Sequence, residues 1–166
     1  MTRQSCRNYQ EKPVDEETLR KIAELAHLAP SACNAQPWKI YAATGAKAKE
    51  VAHALQGMGM NKFTEKCPAF FAIAEGKTSF IDKVGGASHL VPYDVGIFAA
   101  HIVLAAQSLG VGSCIIGWRN EKTLQRVLGL KDKQCIPLVI ALGYPAEDDP
   151  LRQKRRKPLE EVFEIL

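Results

Sequence analysis

Behind Asp15, whose side chain suits a helix N-cap, Leu19, Ile22, Leu25, Ala26 and Ala29 recur at helical spacing. Pro30 stops the run, so the pattern predicts a helix over 15–29. Small and polar residues with a proline follow, Ser31-Ala-Cys-Asn-Ala-Gln-Pro37, and read as a loop. A short strand is expected over 38–43, then an amphipathic helix over 45–56 with Val51 and Leu55 inward. The nearly continuous apolar run 68–74 (PAFFAIA) reads as a buried strand. Residues 76–92 lack periodicity and contain Gly85-Gly86; a loop this long in a compact chain is expected to act as a lid or binding loop. Residues 93–109 (YDVGIFAAHIVLAAQSL) are apolar nearly all round, the mark of a helix buried on most sides. Residues 113–118 read as a strand or extended loop, and Asn120 as the cap of a short helix to Leu128, closed by Gly129. A second buried strand is expected over 135–143, then a turn at Gly143-Tyr-Pro145 and a polar tail, with a last short segment beginning at Pro158.

Helices and strands occur without strict βαβ alternation, which predicts an α+β fold with a central mixed or antiparallel sheet flanked by helices. A single domain over 1–166 is expected. The apolar helix needs more cover than a chain of this size supplies easily, and a dimer interface would provide it. The surface scaling gives roughly 70% of the unfolded chain's surface buried on folding, so no staple is required. The five cysteines are widely spread, with neither a CxxC nor a zinc-type Cys–His spacing. That usage suits a reducing cytoplasm and no structural metal. No uncharged apolar run approaches a bilayer span, and the opening MTRQSCRNYQEK lacks the apolar core of a secretory signal. Neither a membrane span nor secretion is expected.

Charge narrows the picture further. Lys and Arg number 22 against 18 Asp and Glu; removing the five cations of residues 152–157 leaves 17 against 18. With Arg3 and Arg7 also set aside, the basic surplus is confined to the two chain ends. A nucleic-acid binder would spread a basic stripe interleaved with aromatics, and no aromatic lies in the basic tail. A solvated tail is the plain reading. A small phosphorylated ligand held between the ends is the sharper one.

Familiar motifs are missing. Gly110-Val-Gly112 follows a predicted helix and its next glycine is Gly117, so it fails as a dinucleotide fingerprint; no P-loop sequence occurs. None of the four histidines joins a known hydrolase signature, and His101, within the apolar helix, reads as a core residue. Asp94 reads as an acid favouring a helix N-terminus. What remains is Arg3-Gln-Ser-Cys-Arg7, two guanidiniums and a hydroxyl suited to phosphate oxygens, together with Lys154 and Arg156 from the tail. Two like-charged ends repel unless an anion lies between them. In the loop at 30–37, Asn34 and Gln36 each offer a donor and an acceptor, as the edge of a flat heteroaromatic ring requires, although read by itself the loop is better taken as an ordinary Asx-rich turn.

Four segments, in order, resemble the nitroreductase family of FMN-dependent oxidoreductases. They are Arg3-Gln-Ser-Cys-Arg7, Ala29-Pro-Ser-Ala-Cys-Asn-Ala-Gln-Pro-Trp38, the helix and turn over 93–118, and the ending Gly143-Tyr-Pro145 with Arg156-Lys-Pro-Leu-Glu-Glu-Val162. The resemblance spans essentially the whole chain. It implies an interlocked homodimer with FMN at the interface, NAD(P)H as electron donor, and a nitroaromatic, quinone or activated alkene as acceptor, in ping-pong order. By the same carry-over, Arg3, Gln4, Ser5 and Arg7 would contact the flavin phosphate, ribityl chain or pyrimidine edge, and Lys154 and Arg156 would reach the phosphate. Pro30, Ser31, Ala32, Asn34 and Gln36 would approach the ring from the partner subunit, Ile116 and Gly117 would lie near N5, and Asn61 would supply an amide. The chemistry would be the flavin's, with no catalytic side chain and no metal. An FMN-binding relative with a flavin-fragmenting, dehalogenating or electron-transfer role is the alternative.

Overall fold

The computed structural model describes residues 3–76, 87–130 and 134–166. Helix α1 covers Glu16–Ala26, and Asp15 caps it by accepting the Thr18 N–H at 2.7 Å. That bond and a second from the Thr18 hydroxyl hold the Asp15 carboxyl below the usual range. The helix stops short of the expected end. Residues 27–29 continue only as turns, because a residue before proline is pushed out of the helical region.

Among the described residues, four strands form one antiparallel sheet: β1 (Trp38–Thr44), β2 (Ala69–Glu75), β3 (Gly112–Ile116) and β4 (Leu138–Gly143), in the order β1-β2-β4-β3. The expected alternative of a mixed sheet resolves to antiparallel. A parallel bridge beyond the named strands joins Ser5 to Ser113 on β3. β4 begins at Leu138 rather than 135, since Pro137 has no N–H to give a ladder.

The apolar run of β2 is explained by cover on both faces. Ala69, Phe71 and Ile73 pack with α1 and α3 (Val91–Ser108), whereas Phe70, Ala72 and Ala74 pack with α2 (Gly45–Leu55) and α4 (Glu121–Val127). Asn120 caps α4 by accepting the Thr123 N–H at 3.1 Å, and Gly129 follows with φ +65°.

α3 starts earlier than its periodicity suggests, with Pro92 tolerated in the first turn. It also departs from the expectation of burial on most sides. Tyr93 (68% exposed), Ile97 and Leu104 form an open apolar stripe at helical spacing, and His101 is only half-buried, its Nδ1 2.9 Å from the Ile97 carbonyl oxygen. After Gly143 the chain turns back along the N-terminal segment. Residues 151–166 are exposed, with one short 3-10 turn at Leu159–Glu161. No helix among the described residues is long and apolar enough to cross a membrane. Most of the expected lid, residues 77–86, lies outside the described residues.

Candidate functional site

The two ends of the chain come together. Cys6 donates its N–H to the Ser113 carbonyl at 2.9 Å, and the buried Tyr9 hydroxyl donates to the Cys6 carbonyl at 2.8 Å. Further along, Gln10 N–H reaches the Tyr144 carbonyl at 2.9 Å and Ala146 N–H the Asn8 carbonyl at 3.1 Å. Gln4 grips the tail with both ends of its amide: Nε2 donates to the Pro150 carbonyl at 3.2 Å, and Oε1 accepts the Arg152 N–H at 2.9 Å. The Arg152 guanidinium donates to the Ser5 carbonyl at 2.9 Å and to Asp149 Oδ1 at 2.5 Å. Asn8 donates to Asp148 Oδ1 at 3.1 Å.

This clasp corrects one expectation. The ends need no bridging anion to meet, because main-chain bonds and the well-buried Asp149 carboxylate hold them. Sequence reasoning misses Asp149 and Arg152 as builders of the site. They stand three residues apart beyond the Gly143-Tyr-Pro145 turn, a spacing that names no partner at the other end of the chain.

Beyond the clasp lies uncompensated positive charge. Desolvation and then the like charges of Arg3, Arg156 and Arg152 hold Lys154 below its ordinary value. Among the described residues no carboxylate pairs with Arg3, Lys154 or Arg156. Arg7 is exposed, and its guanidinium and the Ser5 hydroxyl both lie against the Cys114 thiol. Burial pushes the Cys114 and Cys6 thiols up, which leaves them neutral and inert.

The loop at 30–37 is built separately. Asp94, 5% exposed in the first turn of α3, accepts the Ala32 N–H at 3.0 Å, so it anchors the loop as well as serving the helix terminus. Ser31 Oγ accepts the Gln36 N–H at 2.9 Å, and Gln36 Nε2 donates to both oxygens of Asn34, at 3.0 and 3.1 Å. Cys33, Asn34 and Gln36 all adopt left-handed conformations, φ +50°, +53° and +47°, a costly arrangement for three side-chain-bearing residues. Pro30 and Asn34 are exposed. Behind the loop, Trp38 stacks on Phe98 with ring centroids 4.4 Å apart. No hydrogen bond or ion pair among the described residues joins this loop to the clasp.

A third group sits at the end of β3. Ile116 is buried and Gly117 exposed. Asn61 reaches this group but its amide is engaged: Nδ2 donates to the Leu55 carbonyl at 3.1 Å and the Trp118 carbonyl at 3.3 Å, leaving Oδ1 as the free end. No cluster of metal-ligating side chains occurs among the described residues.

The family profile described as the nitroreductase family matches residues 1–144. A protein of Archaeoglobus fulgidus is 31% identical over 157 residues, spanning 89% of this chain and 83% of its own. A Thermus thermophilus protein named NADH dehydrogenase is 29% identical, spanning 98% of this chain and 91% of its own. Among solved structures, an FMN-dependent nitroreductase from Clostridium difficile superposes with a TM-score of 0.74 at 26% identity, over 91% of this chain and 88% of that one. With two helical layers around an antiparallel sheet, motifs in the expected order and this breadth of match, the chain belongs to the nitroreductase family, the FMN-dependent oxidoreductases its segments resemble.

Proposed function

We propose that the protein is an FMN-dependent NAD(P)H oxidoreductase acting as an interlocked homodimer, reducing nitroaromatic, quinone or activated-alkene acceptors in ping-pong order. The observation that carries this reading is the cluster of Arg3, Lys154 and Arg156, unpaired with any carboxylate among the described residues, where Arg152 ties the tail to Ser5. Its charge and donor set fit a phosphate monoester, which carries nearly two negative charges. FMN, when bound, supplies the hydride chemistry; this chain's residues bind and orient it. Arg3, Lys154 and Arg156 hold the phosphate, Gln4 and Ser5 keep the segment in register, and Arg7 faces the electron-rich pyrimidine side. Pro30, Ser31, Ala32, Asn34 and Gln36 of one copy cover the ring held by the other. Ile116, Gly117 and the free Oδ1 of Asn61 lie along it.

The dimer is supported by what one chain leaves open. Tyr93, Ile97 and Leu104 on α3, and Leu159, Val162, Phe163 and Ile165 in the tail, are all exposed. Exposed apolar surface of that extent calls for a partner in water. A reducing cytoplasm is the compartment this reading places it in.

The test is spectral. Protein purified with FMN supplied should carry the flavin band near 450 nm and, under anaerobic stopped flow, lose it rapidly with NADH or NADPH. Protein that binds no FMN refutes the reading. Protein that binds FMN but is reduced only slowly by both nicotinamides belongs instead to the flavin-fragmenting, dehalogenating or electron-transfer relatives.

A further inference from the structure

Arg119 is the strongest unexplained group in the molecule. Its side chain is only 20% exposed, and its Nε–H is buried with no acceptor among the described residues. A buried donor without a partner costs on the order of 1–3 kcal/mol and calls for a reason. Nη1 donates to the Gly117 carbonyl at 2.7 Å. Among the described residues its one carboxylate partner, Glu121, stands 3.7 Å from Nη2, too far for a hydrogen bond. The same Glu121 Oε1 already accepts the Ile136 N–H at 2.7 Å. Among the described residues the guanidinium charge is therefore incompletely neutralised, in a mostly buried setting where fields are stronger than in water.

The bond to Gly117 has a geometric consequence. A trans peptide points its C=O and N–H in opposite directions. With the Gly117 carbonyl turned to Arg119, the Trp118 N–H is turned away from it. Neither the Gly117 nor the Trp118 N–H donates to a backbone acceptor among the described residues, and both residues are exposed. Two consecutive N–H groups at the end of β3 thus lack a backbone acceptor among the described residues, and the Trp118 one points away from the Arg119 charge.

We propose that Arg119 is a positioning residue for the ring end of the site: it fixes the Gly117–Trp118 peptide donor-side outward and, with its weakly balanced charge, favours the electron-rich reduced state of the bound flavin over the oxidised state. The proposal rests on the FMN reading above. Charge and fixed dipoles already in place stabilise added electron density without reorganisation. Glu121 sets the strength of the effect by partly offsetting the charge.

Arg119 and Glu121 can be told apart by sign. Wild type, R119M, R119K and E121Q would be loaded with FMN, their affinity for oxidised FMN measured by quenching of flavin fluorescence, and their midpoint potentials by spectroelectrochemical titration. R119M should shift the two-electron equilibrium at least tenfold toward the oxidised state, about 30 mV more negative. E121Q keeps an oxygen for the Ile136 N–H but removes the counter-charge, and should shift the potential the opposite way. R119K, which keeps charge but lacks the planar fork, should recover part of the R119M loss. Affinity for oxidised FMN should stay within threefold throughout. Unchanged potentials, or R119M and E121Q moving in the same direction, overturn the proposal, since a merely structural role has no reason to give opposite signs. If R119M fails to fold, an E121Q potential that does not rise is by itself refutation. A wild type that binds no FMN overturns the cofactor reading and this proposal with it.

Discussion

Replacing Arg152 by alanine tests how the two chain ends are joined. The guanidinium makes two charge-assisted hydrogen bonds, to the Ser5 carbonyl at 2.9 Å and to Asp149 Oδ1 at 2.5 Å. Its own side chain is 42% exposed, while that of Asp149 is 4% exposed. Removing one member of a fully buried pair costs about 3–5 kcal/mol, because the other charge is stranded. Here water can reach the vacated position, and Gln4 Nε2 remains 3.5 Å from Asp149 Oδ2. The loss should therefore fall to about 2 kcal/mol, in the range of a charged hydrogen bond. For a chain of this length that is a drop of about 4–8 °C in Tm. Thermal unfolding at fixed protein concentration reads it directly. R152K should recover roughly half, since an ammonium cannot fork to both acceptors. The double variant R152A/D149N should lose less than the sum of its parts, as directly coupled groups do. Because Arg152 also ties the Gln4–Ser5 segment to the tail, FMN retention in R152A should weaken about tenfold, or 1.4 kcal/mol. A Tm within about 1 °C of wild type, with FMN retention unchanged, would show that the clasp contributes nothing.

Three other outcomes follow from the same geometry. R3A combined with R156A should weaken FMN binding by more than a hundredfold in a calorimetric titration, about 1.5–3 kcal/mol for each charge-assisted hydrogen bond removed; unchanged affinity would mean the phosphate lies elsewhere. A Cβ on Gly143 would stand 2.7 Å from Tyr9 Cδ1 and 2.8 Å from Pro68 Cδ, so G143A should cost about 2 kcal/mol in urea unfolding, as overpacking does. Burial pushes the Cys67 thiol up to about 12, and burial with the Glu75 and Glu121 charges pushes Cys135 up to about 11, from an ordinary 9.0. A raised folded-state value means the folded chain holds the proton more tightly. That stability is complete below pH 9 and is lost as pH climbs through 11 and 12, so the urea midpoint should fall steadily above pH 9, with a smaller fall in C135S.

Local pattern is a sound guide where burial follows one element's own periodicity. The Asp15 and Asn120 caps, the apolar β2 run and the inward Val51 and Leu55 all answer to forces within a few residues. α3 is harder, because composition alone does not say which chain covers an apolar helix. Its Tyr93, Ile97 and Leu104 stripe is uncovered by its own chain. The clasp is legible only as charge at two ends. Nothing in the spacing of Gln4 or Asp149 announces partners that the chain reaches after folding, and Asn61 gives no sign that its amide will be engaged by two carbonyls. Arg119 is invisible for the same reason: as sequence it is one more surface cation beside a tryptophan.

The strand order explains why the candidate site is divided. β3 is an edge strand, so its outer side is free to receive residues 5 and 6, and β4 beside it delivers the chain at Gly143 to the same margin. Both chain ends are thereby brought to the β3 edge by topology before any charge acts. The loop at 30–37 leads into β1, at the opposite edge. Three strand spacings separate β1 from β3, about 14 Å. Asp94, the Ser31–Gln36 bond and the Trp38–Phe98 stack hold the loop on its own side rather than letting it swing across. On the proposed reading, a ring whose phosphate rests on Arg3, Lys154 and Arg156 would be roofed by Asn34 and Gln36 of a second copy. The open α3 stripe and the apolar tail are the surfaces that would bring that copy in. Cofactor retention and association should then be linked, each strengthening the other by mass action.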